Sequence, residues 1–462
     1  MQIQDTRTAE QAVPEVTSLA TRYGGSVPRY TSYPTAPHFS PEIDSAQYAA
    51  WLSEIGPGED LSLYLHIPFC REMCWYCGCF TKITNRYTPV SRYVDHLIAE
   101  IDLVASSLGG RSNARFMHWG GGSPTILMAE DWQRIFEHLQ RNFDIPADAD
   151  IAVEMDPRTT TQDYVDVLAR LGVNRVSIGV QEFDEAIQRA INRVQPFEVT
   201  AKVVEMIHQA GIRNLNLDLM YGLPKQTVGH VAAMTLKALS FRPTRIALFG
   251  YAHVPWMKSH QKMIPDADLP GIEERWQQAT RAAELLVDAG YVRIGFDHFA
   301  LPDDPIAKQD ISSVARNFQG YTTDTAQNLI GFGASAISSL KQGYAQNVAS
   351  MPSYASAVES GQLPIARGVT LSNDDKLRRD VIEKVMCDMA VDVAGACRRH
   401  GMAEHALDDS LSALQPMIDD GLVRLDGRAL KVNEAGRVWV RNVAAAFDAY
   451  LGLDKARHSQ AV

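Results

Sequence analysis

Six short β-rich runs, each followed by an amphipathic stretch, constrain this chain more than any other feature. They read "LSLYLHI" (61–67), "RFMHW" (115–119), "DIAVEM" (150–155), "NRVSIGV" (174–180), "NLNLDLM" (214–220) and "TRIALFGY" (244–251). Between them lie helical patterns such as "SRYVDHLIAEIDLVASSL" and "MAEDWQRIFEHLQRNF". Parallel strands need a crossover long enough to hold a helix, so the alternation predicts six βα units on a parallel sheet. In such a sheet the loops leaving the strand C-termini carry the functional groups.

The loop after the first run is "CREMCWYCGC", Cys70–Cys79, which holds four of the six cysteines in 462 residues. Its spacing is C-x3-C-x2-C-x-C. The N-terminus "MQIQDTRTAE" has no apolar core of the signal-peptide kind, and no run of 18 apolar residues occurs, so a cytoplasmic protein with reduced thiols is expected. Disulfides between such near neighbours would strain their loops. Zinc asks for two knuckles some way apart, and only Cys74 and Cys77 make one. An iron–sulfur cluster suits closely spaced thiolates best, with zinc and plain redox thiols as the alternatives. The net charge of -11, from 44 Lys and Arg against 55 Asp and Glu, argues against nucleic acid or an anionic membrane as a general partner. It leaves room for a local basic pocket.

Other candidates follow the remaining runs. Gly120, Gly121 and Gly122 let backbone approach a ligand closely, or merely make a tight turn. Glu154 stands in an apolar run, where a carboxylate needs a partner: a ribose diol or a structural arginine. Gln181, Arg193 and Asp218 occupy comparable positions.

The C-x3-C-x2-C loop with Tyr76 before its third cysteine resembles the signature of the radical S-adenosylmethionine superfamily. A closer resemblance is carried by "PRYTSYPTA" (28–36), "LYLHIPFCREMCWYCGC", "HWGGGSPT", "VEMDPRT", "SIGVQEFD", "AINRVQ", "LDLMYGLPKQT", "GFDHFALPDD" (295–304) and "ARNFQGYTT". Together they are similar to the oxygen-independent coproporphyrinogen III oxidases, also called coproporphyrinogen dehydrogenases. The resemblance implies an α/β fold: a partial (β/α)6 TIM-like barrel over 56–365, an N-terminal extension over 1–55 that contributes to the substrate site, and a mostly helical, winged-helix-like domain over 366–462. It implies one [4Fe-4S] cluster held by Cys70, Cys74 and Cys77, whose fourth iron is open to S-adenosylmethionine. A second S-adenosylmethionine lies beside the first in that family. By position, Tyr64, Gly121, Glu154 and Ile337 match contacts to the first molecule. Tyr76, Gly122, Ser123, Gln181, Arg193, Asp218 and Ala252 match contacts to the second. Ser123 is commonly threonine in the family, and Ala315 stands where histidine is expected. Cys79 is the candidate catalytic thiol, with a buried thiol beside the site as the alternative.

The implied reaction converts two propionates of coproporphyrinogen III to vinyl groups, giving protoporphyrinogen IX, through hydrogen abstraction by a deoxyadenosyl radical. It needs an electron donor for the cluster and a terminal acceptor, and the chain is expected to act as a monomer. Four propionates on the substrate call for arginines, and Arg29 and Arg316 are the candidates. Surface arginines are the plain alternative.

From about 370 the pattern changes. "LSALQPMIDDGLVRLDGRALKVNEAGRVWVRN" reads as helix, hairpin with a "DG" turn, then helix. Residues 371–442 carry 11 Lys and Arg against 13 Asp and Glu, too few positive charges for a DNA-binding winged helix. A packing or lid domain is expected, with Cys387 and Cys397 as core thiols. Residues 1–20 read as weakly anchored. Two other classes share features with this chain: a haem-delivering relative with the same cluster loop, and a zinc-dependent winged-helix protein. The C-x-C ending, "PRYTSYP" and "RNFQGYTT" count against the former.

Overall fold

Alternation within the runs decides which face each strand turns inward. The computed structural model, which describes residues 16–308 and 314–452, follows it. The six strands are β1 (Asp60–Ile67), β2 (Asn113–Gly121), β3 (Asp150–Met155), β4 (Arg175–Gln181), β5 (Asn214–Tyr221) and β6 (Arg245–Gly250). They pair in chain order, all parallel. Helices α1 (Thr88–Ser107), α2 (Ala129–Asn142), α3 (Gln162–Arg170), α4 (Phe197–Gln209), α5 (Val228–Leu239) and α6 (Ile272–Asp288) complete the six units.

In β4 and β5 the apolar positions Val176, Ile178, Val180, Leu215, Leu217 and Leu219 are buried in the main core. The alternate positions Arg175, Ser177, Gly179, Gln181, Asn216 and Asp218 line an interior cavity instead. A strand's period of two thus separates a greasy outer face from a polar lumen. On β2, Trp119 meets Trp132 and Phe136 of α2 at ring-centroid distances of 4.2 and 5.5 Å, locking helix to sheet.

The arc is finished on both edges rather than closed. Strand Asn328–Phe332 adds parallel to β1, and Ile337–Ser339, Gly343–Asn347 and Ile365–Thr370 continue antiparallel from it. At the other edge His298–Ala300 and Val292–Ile294 extend β6 antiparallel. The result is a twelve-stranded sheet whose centre is the six-stranded partial barrel.

A second core lies outside this sheet. Leu377, Val381, Val385, Cys397, Leu430, Trp439 and Val443 form it, and a three-stranded antiparallel sheet (Ala390–Asp392, Ala429–Val432, Val423–Asp426) with the expected "DG" hairpin supplies its wing. Cys387 and Cys397 are buried, as core thiols should be. The N-terminal segment belongs to the same core through Leu19, Ala20, Tyr23, Val27, Tyr30 and Tyr33. Residues 1–15 lie outside the described residues, but Leu19 and Ala20 correct the expectation of a weakly anchored segment. The helix Val16–Tyr23 docks because Tyr23 packs 6.2 Å from Trp439 and donates to Asp420 at 2.6 Å. Among the described residues no helix is long and apolar enough to cross a membrane.

Candidate active site

The strand C-termini open into a single cavity of 670 Å³, of the size that takes small-molecule ligands. Its wall includes Cys70, Cys74, Tyr76, Cys77, Cys79, Gly121, Gly122, Ser123, Glu154, Gln181, Arg193, Asp218, Ala252, Arg29 and Arg316. Residues separated by hundreds of positions are thus brought to one place. Two expected residues stand apart from the wall. Tyr64 is half-buried beside it, its ring stacked 6.0 Å from that of the wall residue His118 and its hydroxyl bonded to His66 Nδ1 at 2.9 Å. Ile337 packs against Phe39, Tyr344 and Leu371 on the sheet's edge extension.

Backbone and side-chain donors from several elements hold the cysteine loop. Asn192 donates to the Met73 carbonyl at 2.8 Å, and Trp75 N–H to the Ile191 carbonyl at 2.9 Å. Gln261 donates to the Tyr76 carbonyl at 2.9 Å, His260 Nε2 lies 2.7 Å from the Cys77 carbonyl, and Lys258 reaches that of Cys79 at 3.1 Å. Trp75 and Tyr76 pack on Ile187, Ile191, Met220 and Ile264, so the aromatics between the cysteines are the loop's hydrophobic foot.

The donor set suits a cluster. Arg193 and Arg158 donate to Cys74 Sγ at 3.6 and 3.8 Å, and guanidiniums favour thiolate over thiol. A hydrogen bond from Cys79 lowers Cys77, whereas burial raises Cys70. Among the described residues no three His, Cys, Asp or Glu side chains converge to hold a lone ion. A cubane does not ask for that convergence, because separate irons meet separate thiolates. Cys79 lines the cavity and is exposed on its wall.

Glu154 accepts from the Gly121 N–H at 3.2 Å and pairs with His118 Nε2 at 3.1 Å. Burial alone would raise its pKa, but the His118 hydrogen bond and charge outweigh it and hold the carboxyl below its ordinary range. The partner is therefore a histidine on the neighbouring strand, not an arginine. Asp218 accepts from Ser177 at 3.0 Å and Asn216 at 2.8 Å, and burial pushes it up to about 6. Gln181 has φ +70 where the β4–β5 register slips, a strained non-glycine residue at a bulge beside the cavity. Gly122 admits no Cβ, which would fall 2.6 Å from the Phe69 carbonyl.

Arg193 is buried, donating to the Gly179 carbonyl at 2.6 Å and lying 3.5 Å from Asp156. Asp156 also grips Arg158 at 2.7 Å, and the burial that would raise it yields to these two arginines, which depress it to about 2. Asp156, Arg158 and His118 were not singled out in the sequence, although "EMDPRT" and "HWGGG" contain them. A carboxylate directly after a strand was the available signal. Arg316 is no surface residue: it is sandwiched 5.0 Å from the Phe296 ring and 4.6 Å from that of Tyr321. Ala315 pairs with Thr322 in a short ribbon.

Residues 64–237 match the radical SAM superfamily. The chain is 50% identical over 446 residues to an oxygen-independent coproporphyrinogen III oxidase of Bradyrhizobium diazoefficiens, covering 96% of this chain and 99% of that one. The chain belongs to the oxygen-independent coproporphyrinogen III oxidase family. A Salmonella typhimurium member is 38% identical over 98% of this chain and 99% of its own. The solved coproporphyrinogen III oxidase of Escherichia coli superposes with a TM-score of 0.88 at 36% identity, covering 96% of this chain and all of that one. The partial barrel, N-terminal extension and helical C-terminal domain are those of that fold. Membership of the radical SAM superfamily brings with it a [4Fe-4S] cluster and use of S-adenosylmethionine.

Proposed function

We propose that this chain oxidatively decarboxylates two propionate side chains of coproporphyrinogen III to vinyl groups, yielding protoporphyrinogen IX in anaerobic haem biosynthesis. The observation that carries the reading is the shared cavity: the cysteine loop, the strand-end polar groups and the arginines Arg29 and Arg316 all line it. Each propionate loses one hydrogen atom from the carbon next to the pyrrole, then carbon dioxide and one electron. That C–H bond is not acidic, so side-chain bases alone cannot open it. When bound, a reduced cluster with S-adenosylmethionine supplies the hydrogen-abstracting radical.

The chain's residues bind and orient. Cys70, Cys74 and Cys77 hold the cluster, supported by the two guanidiniums at Cys74. Glu154, fixed by Gly121 and His118, presents an ionised carboxylate to a ribose diol of the first S-adenosylmethionine. Tyr76, Gln181, Arg193 and Asp218 receive a second molecule. Tyr64, stacked on His118, contributes to the pocket of the first molecule. An electron donor recharges the cluster and a separate acceptor takes the substrate's electrons. The test is an anaerobic assay with cluster-loaded protein, S-adenosylmethionine, a reductant and coproporphyrinogen III. Protoporphyrinogen IX, carbon dioxide, methionine and 5′-deoxyadenosine are expected. Absence of decarboxylation with a fully loaded cluster would refute the reading.

A further inference from the structure

Four guanidiniums from four distant stretches line one part of the cavity. They are Arg29 in the N-terminal segment, Arg275 on α6, Arg316 in the Ala315–Asn317 strand and Arg441 in the helix Val440–Ala445. Each is fixed before any ligand arrives. Arg29 donates to the Gly250 carbonyl at 3.0 Å and Arg275 to that of Tyr251 at 2.9 Å, which seats both beside the end of β6. Arg441 donates to the carbonyls of Val27 and Pro28, the residues that lead into Arg29. Arg316, with a side chain 5% exposed, lies 3.7 Å from Asp297. Its Nε and Nη1 are buried without a hydrogen-bond partner.

Assembling like charges in an interior is costly, and the cost is visible. Burial lowers Arg275, and burial with the charges of Arg29 and Arg316 brings Arg441 down to about 9. Asp297, which is also bonded to His298 at 2.6 Å, is the carboxylate set against the group. Four guanidiniums set against one carboxylate leave an excess of positive charge that matches a ligand bearing several carboxylates, since guanidinium and carboxylate pair bidentately.

We infer that Arg275 and Arg441 join Arg29 and Arg316 in a carboxylate anchor for the tetrapyrrole, holding the propionates that the product retains. The assignment rests on coproporphyrinogen III being the substrate. It concerns the retained propionates for a chemical reason. A reacting propionate gives up its carboxylate as neutral carbon dioxide. A fork that stabilises the anion would stabilise the ground state more than the transition state and slow the step. On carboxylates that persist, the same grip is uniform binding and costs the chemistry nothing.

The test titrates cluster-loaded enzyme, with S-adenosylmethionine present, against coproporphyrin III and against its tetramethyl ester. Arg275→Gln and Arg441→Gln are each expected to weaken tetra-acid binding by ~10-fold or more, as for loss of a charge-assisted pair. Binding of the ester and of S-adenosylmethionine should not change. In turnover KM should rise with kcat nearly kept, and Arg441→Lys should recover part of the loss. Arg29→Gln, at a water-accessible position, repeats the test should Arg441→Gln fold poorly. Unchanged tetra-acid affinity in these variants, or equal weakening for acid and ester, would overturn the anchor while wild-type turnover left the functional reading intact. Wild-type enzyme that binds but never decarboxylates coproporphyrinogen III would remove the functional reading and the anchor with it.

Discussion

Replacing Gly121 by alanine tests how the glycine run serves the site. Gly121 has φ +109, and a Cβ there would sit 2.6 Å from Cε1 and Nδ1 of His66. The backbone conformation alone costs a residue with a Cβ about 1–3 kcal/mol. The imidazole cannot simply swing aside, because it is buried and tied at both ends, to Tyr64 Oη at 2.9 Å and to the Phe80 carbonyl at 3.1 Å. Moving it forfeits two hydrogen bonds at about 1 kcal/mol each, for a total near 4 kcal/mol. The strand can relieve part of this by shifting, but the Gly121 N–H then leaves Glu154, a bond already 3.2 Å long. Both routes weaken the ribose end of the proposed cofactor site. Thermal denaturation and S-adenosylmethionine binding by equilibrium dialysis should therefore both report loss. In a His66→Ala background no ring is in the way, and the cost of Gly121→Ala should fall by about 2 kcal/mol. A wild-type midpoint and affinity for Gly121→Ala, or a cost that ignores His66, would refute the reasoning.

Serine at Cys70, Cys74 or Cys77 should abolish bound iron, whereas Cys79→Ser should keep about four irons per chain by colorimetric assay; loss of all iron in Cys79→Ser alone would contradict the ligand set. Arg193→Ala should retain the cluster, because Arg158 still donates to Cys74, and the first S-adenosylmethionine, seen as a cofactor-induced change in the reduced cluster's electron paramagnetic resonance signal, yet form no protoporphyrinogen IX. Glu100 gives a pH signature. Burial pushes it up to about 7, even though Tyr354, Gly333 and Asn347 all donate to it. A raised folded-state pKa means its stabilisation is full below its unfolded value and is lost as pH rises through 7, a change of about 3 kcal/mol. Urea midpoints from pH 4.5 to 7.5 should show that decline, and Glu100→Gln should flatten it.

Much of the barrel was legible because each strand carries its own instruction. "DIAVEM" is Asp150–Met155 to the residue, and the other five strands differ from their runs by no more than two positions at either end. The edge extensions were not legible. Residues 328–332 look like any short apolar run, and their partner is β1, more than 260 positions earlier. The same limit applies to the site. Loop cysteines announce themselves by spacing, whereas Glu154 gives no hint that its partner is His118, since that contact depends on strand register. Arg275 and Arg441 sit in helices of ordinary composition. Their role as interior charges exists only once the two ends of the chain have met.

That meeting has a consequence for how the protein is made. Arg441 bonds the Pro28 carbonyl across 413 residues of chain. At the usual pace of synthesis the segment bearing Arg29 waits about 20–80 s on the ribosome before its partner emerges. During that interval the cysteine loop and its barrel can already have formed, while Leu19, Tyr23 and Tyr30 have no surface to cover them. If the barrel folds within that interval, its cysteine loop is in place before the arginine-lined end of the cavity is built.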